Sequence, residues 1–185
     1  MGRVVYSMSV SLDGFAVAPD GGIDWVVVDE EIHEAFNAEA RGVAILLYGR
    51  RMYGLMTAYW PTAEDDPTAT QVERDFARIW GPKPKLVASS TLTSVNWNAH
   101  LLQGDIVTEV ARLRWDQDAD IGVGGPTAVA PLLRASLVDQ FSMYANPVVL
   151  GGGTPFFPAG VRLTLRLVAT RRFAAGVQLL RCVPA

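Results

Sequence analysis

The segment from Ile121 to Val129 constrains the fold of this chain more than any other. It begins as an apolar strand, reaches the adjacent glycines Gly124 and Gly125, and continues with Pro126, which suits the first turn of a helix. Glycines at such a turn let a ligand approach the backbone, and the N–H groups and dipole of the following helix favour an anion. The segment therefore predicts a cradle for a diphosphate group, or else a tight packing turn between strand and helix.

Composition limits the classes of protein that the chain can form. Half of the 185 residues are hydrophobic and 19% are charged, as in a globular protein, and the length predicts one domain over residues 1–185. The net charge of −3 argues against a nucleic-acid surface, and no apolar run approaches the length of about 20 residues that a membrane helix needs. The single cysteine, Cys182, excludes an internal disulfide, favours a reducing cytoplasmic environment, and is expected to be buried in a late strand.

Strand and helix patterns alternate along the chain. Strand-like runs cover residues 3–10, 43–48, 85–89, 94–97, 119–123 and 138–146, followed by a terminal hairpin of residues 163–173 and 177–183. Helices are predicted over residues 29–39, 50–56, 70–80, 105–115 and 126–135, and residues 11–25 are expected to form a loop. This order predicts an α/β three-layer sandwich, with a mixed, mostly parallel central sheet and a C-terminal antiparallel hairpin.

Two further strand ends carry groups suited to a phosphate. Gly49 leads from a buried strand into a helix that begins with Arg50 and Arg51, whose guanidinium groups bind phosphate well. Three consecutive hydroxyls follow another strand at residues 89–91. Because open α/β sheets bind ligands at the carboxyl ends of their strands, we expect these segments to meet Gly124 and Gly125 at one site. The alternatives are a solvated helix face for the arginines and an ordinary loop for the hydroxyls.

The chain resembles the dihydrofolate reductase-like superfamily, and most closely the reductase domain of bacterial riboflavin biosynthesis with its single-domain relatives. The Gly-x-Gly-x-x-Gly pattern of a standard Rossmann domain is absent from the sequence, and the paired glycines come late in it. The resemblance covers nearly the full length. It rests on residues 11–15 (Ser-Leu-Asp-Gly-Phe), 24–25, 47–52, 89–91, 123–126, 137–141 and 147–151.

This resemblance implies an NADPH-dependent reductase that passes hydride to a small heterocyclic acceptor, as the 5-amino-6-(5-phosphoribosylamino)uracil reductase does. Residues 49–52 and 89–91 would face the adenosine end and its 2′-phosphate, residues 124–127 the diphosphate, and Ala16 and Trp25 the nicotinamide. The implied cofactor-binding residues are Ala16, Trp25, Gly49, Arg50, Arg51, Met52, Ser89, Ser90, Thr91, Val123, Gly124, Gly125, Pro126 and Thr127.

The substrate side is predicted less specifically. Phe15, Tyr53 and Trp60, together with Trp25, would form an aromatic wall for a flat heterocycle, or else pack in the core. The candidate acidic contacts are Asp13, which alternatively shapes an Asp-Gly turn, and Asp29 or Glu30, which fall near the start of the first helix, where dihydrofolate reductase holds its pterin. His33 is expected on a solvated helix face, and no metal site is expected.

Departures from the family pattern leave other functions open. The riboflavin reductase typically has an acid before the paired glycines and a basic residue after Ser-Leu-Asp-Gly, whereas this chain has Val123 and Phe15. The alternatives are a non-catalytic NADP-binding or interaction protein, and a reductase of dihydrofolate or another pterin-like substrate. The apolar composition and the C-terminal strands predict a symmetric homodimer, as in the riboflavin reductases.

Overall fold

A computed structural model, which describes residues 1–116 and 120–185, arranges the chain around an eight-stranded sheet with a small second sheet beside it. The strands are β1 (Val4–Ser11), β2 (Phe15–Val17), β3 (Ile45–Gly49), β4 (Lys85–Ala88), β5 (Ala99–Leu101), β6 (Ile121–Gly124), β7 (Gln140–Asn146), β8 (Thr154–Pro155), β9 (Leu165–Arg172) and β10 (Gln178–Pro184). The helices are α1 (Glu30–Gly42), α2 (Arg50–Tyr59), α3 (Gln71–Trp80), α4 (Ile106–Asp116) and α5 (Pro126–Arg134).

The central sheet has the order β5-β4-β3-β6-β1-β7-β10-β9. Neighbouring strands from β5 to β7 are parallel, whereas β10 runs antiparallel to both β7 and β9. Helices connect the successive parallel strands, apart from β4 and β5, which are joined by the non-helical segment of residues 89–98. The predicted α/β fold, with a mostly parallel sheet and a C-terminal hairpin, is therefore confirmed.

The side chains of β1 alternate between two cores, one on each face of the sheet. Val4 and Tyr6 pack with apolar residues of α4 and α5, whereas Val5 packs in a second cluster with Phe76 and Trp80 of α3. A third cluster joins α1 to β7 and β10. The sheet therefore lies between two helical layers. Cys182 is buried in the first core, as predicted.

The structure corrects one predicted strand and one predicted loop. The strand predicted over residues 94–97 is displaced to Ala99–Leu101, because Trp97 and Asn98 have φ values of 61° and 52° and turn the backbone just before it. The predicted loop of residues 11–25 contains β2, which pairs with β8 from the far end of the chain. Ala119, the first residue of another predicted strand, lies outside the described residues.

Candidate functional site

One cavity of about 820 Å³ lies along the carboxyl ends of β3, β4 and β6 and continues between the sheet and α1. All three predicted strand-end segments border it, as parallel α/β topology leads one to expect. Of the predicted cofactor residues, Trp25 is not in its wall. Those that line it are Ala16, Gly49, Arg50, Arg51, Met52, Ser89, Ser90, Thr91, Val123, Gly124, Gly125, Pro126 and Thr127.

Two of the helices that begin at this cavity, α2 and α5, differ from the other described helices in how their first turns are capped. Side chains of Asp29, Thr70 and Asp105 accept hydrogen bonds from the first turns of α1, α3 and α4. By contrast, α2 and α5 begin after Gly49 and Gly125, and neither has a side-chain cap within the described chain. Their first-turn N–H groups therefore have no capping side chain and are available to an anion.

The ends of α2 and α5 are also close together. A Cβ placed on Gly49 would lie 3.5 Å from the Cβ of Ala128 in α5. Gly125 has a φ of 103°, which favours glycine, and a Cβ there would meet only Met52 at 3.5 Å. Gly124 has a different role, because its Cβ would lie 2.9 Å from the ring of Tyr48. Packing therefore explains Gly124, and backbone conformation explains Gly125.

The polar side chains at this end of the cavity divide into bonded and unbonded groups. Arg51 donates to the carbonyl oxygen of Gly21 and so ties the first loop to α2. Within residues 1–116 and 120–185, the exposed side chain of Arg50 makes no hydrogen bond or ion pair. Ser89 Oγ accepts from the backbone N–H of Thr91 at 3.2 Å and shapes the turn that presents the neighbouring exposed hydroxyls. Arg50 is thus the cation available to a phosphate here.

None of the three predicted acids lies in the cavity wall. Asp13 accepts from the backbone N–H groups of Leu150 and Gly151 at 3.1 and 2.7 Å, and so joins the first loop to the loop before β8. The Ser11 hydroxyl, followed by these backbone donors, lowers the pKa of Asp13. Asp29 is the N-cap of α1, and Glu30 is exposed beside it. Asp13 and Asp29 have structural partners in place of a ligand.

The predicted aromatic wall is only partly assembled. Trp60 lines the cavity, whereas Phe15, Trp25 and Tyr53 do not. Tyr53 lies in the second core. Its hydroxyl accepts a hydrogen bond from the backbone N–H of Asn96 at 2.8 Å and donates one to the carbonyl oxygen of the same residue at 3.1 Å. Phe15 pairs with Pro155 across the small sheet. Tyr53 and Phe15 are therefore held by the fold, away from the cavity wall.

His33 corrects the sequence interpretation most clearly. It was expected in solvent, but it is 8% exposed, lines the cavity and lies edge-on to three aromatic rings, those of Phe36, Trp60 and Phe76. Burial lowers the pKa of its imidazole, which the charge of Glu73 opposes. The sequence does indicate this burial, because residues 32, 33 and 36 lie on one face of α1 and residues 32 and 36 are apolar.

A carboxylate of the cavity wall was also missed. Glu39, near the end of α1, accepts from the hydroxyl of Ser7 in β1 and from the guanidinium of Arg181 in β10 at 2.9 Å. Among the described residues that line the cavity, it is the one acid. Sequence spacing could not identify it, because its partners come from strands at opposite ends of the chain.

Fold and cavity together define an α/β protein with a ligand-sized cavity at the carboxyl ends of its parallel strands. Residues 3–179 match the family model of the RibD C-terminal domain, and the chain belongs to that family. It is also 32% identical over 177 residues to the uncharacterized protein YyaP of Bacillus subtilis, an alignment that covers 95% of this chain and 91% of YyaP.

Solved structures show the same fold. A provisionally named riboflavin biosynthesis protein of Shewanella sp. PV-4 superimposes with a TM-score of 0.76 at 21% identity, over 100% of this chain and 99% of that protein. Dihydrofolate reductase from Enterococcus faecalis, in complex with NADP(H), superimposes with a TM-score of 0.67 at 13% identity, over 99% and 96% of the two chains. At these identities the likeness extends to the fold alone. Across the part of the chain that is described, no helix is long and apolar enough to cross a membrane.

Proposed function

We propose that this chain is an NADPH-dependent reductase that transfers hydride to a small heterocyclic acceptor. The observation that carries the proposal is the meeting of two helix N-termini, without side-chain caps, beside Arg50 at one cavity. Such ends bind phosphate through backbone N–H groups. The cavity volume of about 820 Å³ falls within the range of cofactor and ligand sites.

The residues present fit this cofactor. The N-terminus of α5, entered through Gly125, would hold the diphosphate, and Arg50 with the hydroxyls of Ser90 and Thr91 would hold the 2′-phosphate. Ala16 lies in the cavity wall on the first loop and would contact the nicotinamide. When bound, NADPH supplies the hydride.

The first loop provides the closed surroundings that reduction needs. Asp13 fastens one side of it to residues 150 and 151, and Arg51 fastens the other side through Gly21. Gly153 approaches so closely that a Cβ on it would lie 2.0 Å from the carbonyl oxygen of Val17. These contacts hold Ala16 and Val17 over the cavity, where they exclude water from the acceptor.

The test is NADPH oxidation, followed by absorbance, with a panel of acceptors that includes dihydrofolate and 5-amino-6-(5-phosphoribosylamino)uracil derivatives. We expect turnover with at least one acceptor and a slower rate when NADH replaces NADPH. Absence of oxidation with every acceptor, despite tight NADPH binding, would contradict a reductase.

The alternative function is that of a non-catalytic NADP-binding protein, which would bind NADPH tightly without oxidising it. It is favoured by the commitment of Asp13 and Asp29 to backbone N–H groups and by the position of the third predicted acid, Glu30, outside the cavity wall. Such a protein would gain thermal stability from NADPH by mass action but would not consume it.

A further inference from the structure

The inner part of the cavity, between the sheet and α1, differs chemically from the strand-end part where NADPH is proposed to bind. Its wall includes the aromatic rings of Phe36, Trp60 and Phe76 around His33, and also Ser7 of β1 and Glu39 of α1. Flat rings and a few polar atoms are typical of a site for a planar heterocycle. The hydrogen-bonding capacity and the charge of these polar groups therefore indicate which class of substrate the inner cavity can bind.

His33 presents one ring nitrogen, Nε2, that the protein does not use. Its Nδ1 is buried on the side of the ring where Asn37 acts, whereas Nε2 has no hydrogen bond within residues 1–116 and 120–185. One turn later on α1, the Oδ1 of Asn37 is likewise buried and unpaired, although its Nδ2 donates to the carbonyl oxygen of Val72 at 2.9 Å. A buried polar atom without a partner is costly, so an unused imidazole in a cavity wall indicates a ligand.

The neighbourhood of His33 selects one protonation state. Burial lowers the pKa of the imidazole and so favours its neutral form. The side chain of Asn37 acts on the imidazole and raises its pKa, and because Oδ1 can only accept a hydrogen bond, it favours the proton on Nδ1. The remaining lone pair, on Nε2, then accepts from a donor on the ligand. Glu73 of α3 is the charged group acting on His33, while Trp60 and Phe76 contribute uncharged rings.

The charged groups that line the cavity disfavour a second phosphate at its inner end. The arginines among its described lining residues are Arg50 and Arg51, and both lie at the start of α2, at the cofactor end. The inner wall instead carries the carboxylate of Glu39, already paired with Arg181. A phosphorylated acceptor would therefore bring a dianion against a carboxylate and a neutral imidazole, which is unfavourable without a cation.

We propose that the inner cavity takes an uncharged planar heterocycle without a phosphate group, and that His33 recognises it by accepting a hydrogen bond from a ring N–H through Nε2. This rests on the proposed reductase function, and it separates the acceptor from the phosphoribosyl substrate of the riboflavin pathway. His33 is accordingly a specificity residue.

The test compares 5-amino-6-(ribosylamino)uracil with its 5-phosphate, two probes that differ only in the phosphate. Each is titrated by calorimetry into protein saturated with NADP⁺, which prevents turnover. We expect the unphosphorylated probe to bind at least about tenfold more tightly. His33→Phe keeps an aromatic ring but removes the acceptor, and should weaken that binding about tenfold, as loss of a hydrogen bond worth about 1.4 kcal/mol implies.

Two further variants separate recognition from folding. His33→Gln keeps an acceptor oxygen and should restore most of the affinity, whereas His100→Phe alters the exposed histidine of β5 and should leave it unchanged. Affinity of the wild-type protein should fall as pH decreases below the usual histidine pKa of about 6.5, because protonated Nε2 cannot accept, and His33→Gln should not follow this profile.

The proposal is overturned if the phosphorylated probe binds equally or better, if neither probe binds, or if His33→Phe binds as the wild type does. The NADP⁺ titration that precedes each experiment reports on the cofactor site by itself. Failure of that titration would contradict the reductase proposal, whereas normal NADP⁺ binding with any of the other three results contradicts only the assignment of His33 and the acceptor class.

Discussion

At Gly125 the backbone has a φ of 103° at the entry to α5, beside the proposed diphosphate position. Gly125→Ala should weaken NADPH binding by at least about tenfold, because the new Cβ strains the turn and displaces the N–H groups that follow. The strain itself should cost about 1–3 kcal/mol of stability. Calorimetric titration and chemical denaturation measure the two effects separately.

Gly104 provides the matched control. Its φ is 83°, a Cβ there would meet no described residue within 4 Å, and it lies outside the cavity wall. Gly104→Ala should therefore lose similar stability and bind NADPH normally. If both variants bind normally, Gly125 is only a packing turn and the diphosphate cradle is wrong.

For single residues, the sequence predicts features that depend on neighbours in the chain, but not features that depend on contacts between distant segments. The caps at Asp29 and Thr70 are local features, and α1 and α3 begin directly after them, one residue from the starts that the sequence predicts. The burial of His33 is not local, because it depends on Trp60 and on Phe76 of α3. Helix starts were therefore predictable, whereas the polar groups of the inner cavity were not.

Among the elements, α3 and β4 are held together by one buried side chain. Lys85 in β4 is fully buried, and its Nζ donates to the carbonyl oxygens of Trp80, Lys83 and Trp97 at 2.7, 2.8 and 2.9 Å. It also lies 4.0 Å from the centre of the Trp80 ring. The ammonium group thus provides a hydrogen-bond donor to carbonyl groups at the end of α3 and in the turn before β5. It thereby holds β4, the strand that leads to Ser89, in position.

Lys85→Met should lower the free energy of unfolding by about 3 kcal/mol, because several buried carbonyl groups lose their donor. Lys83→Met is the comparison, since Lys83 donates to one carbonyl, that of Val43, and should cost only about 1 kcal/mol. Urea denaturation measures both. Equal losses for the two variants would contradict a special role for Lys85.

Sequence patterns predicted the long elements and missed the short pairings. The buried run of β3 and the glycines that follow β3 and β6 placed the strand-end segments correctly, because parallel topology brings carboxyl ends to one edge. The pairing of β2 with β8 joins three residues to two across most of the chain. So short a strand has no detectable period, and its partner is known only once the chain has folded.

For the whole molecule, we propose a symmetric homodimer built on the C-terminal strands. β9 is a sheet edge that is exposed along most of its length, with Leu167 and Val168 54% and 43% exposed. An open apolar edge strand is prone to pair with another chain, and two-fold closure is its commonest outcome. Light scattering after size exclusion should give the mass of two chains.

Leu167→Asp should shift this mass to that of one 20.0 kDa chain. The same change at Val149, which is 68% exposed but away from β9, should leave the dimer intact. A wild-type monomer at micromolar concentration would contradict the dimer, and dissociation caused only by Val149→Asp would move the interface elsewhere.

The most direct test of the cofactor site is a calorimetric titration of the wild-type protein with NADPH and with NADH. Because Arg50 and the neighbouring hydroxyls offer charge-assisted bonds worth about 1.5–3 kcal/mol to a 2′-phosphate, NADPH should bind roughly tenfold to a hundredfold more tightly. Arg50→Ala should remove most of this preference, whereas Arg41→Ala, a matched change outside the cavity wall, should preserve it. Equal affinity for the two nucleotides, or binding of neither, would contradict the account.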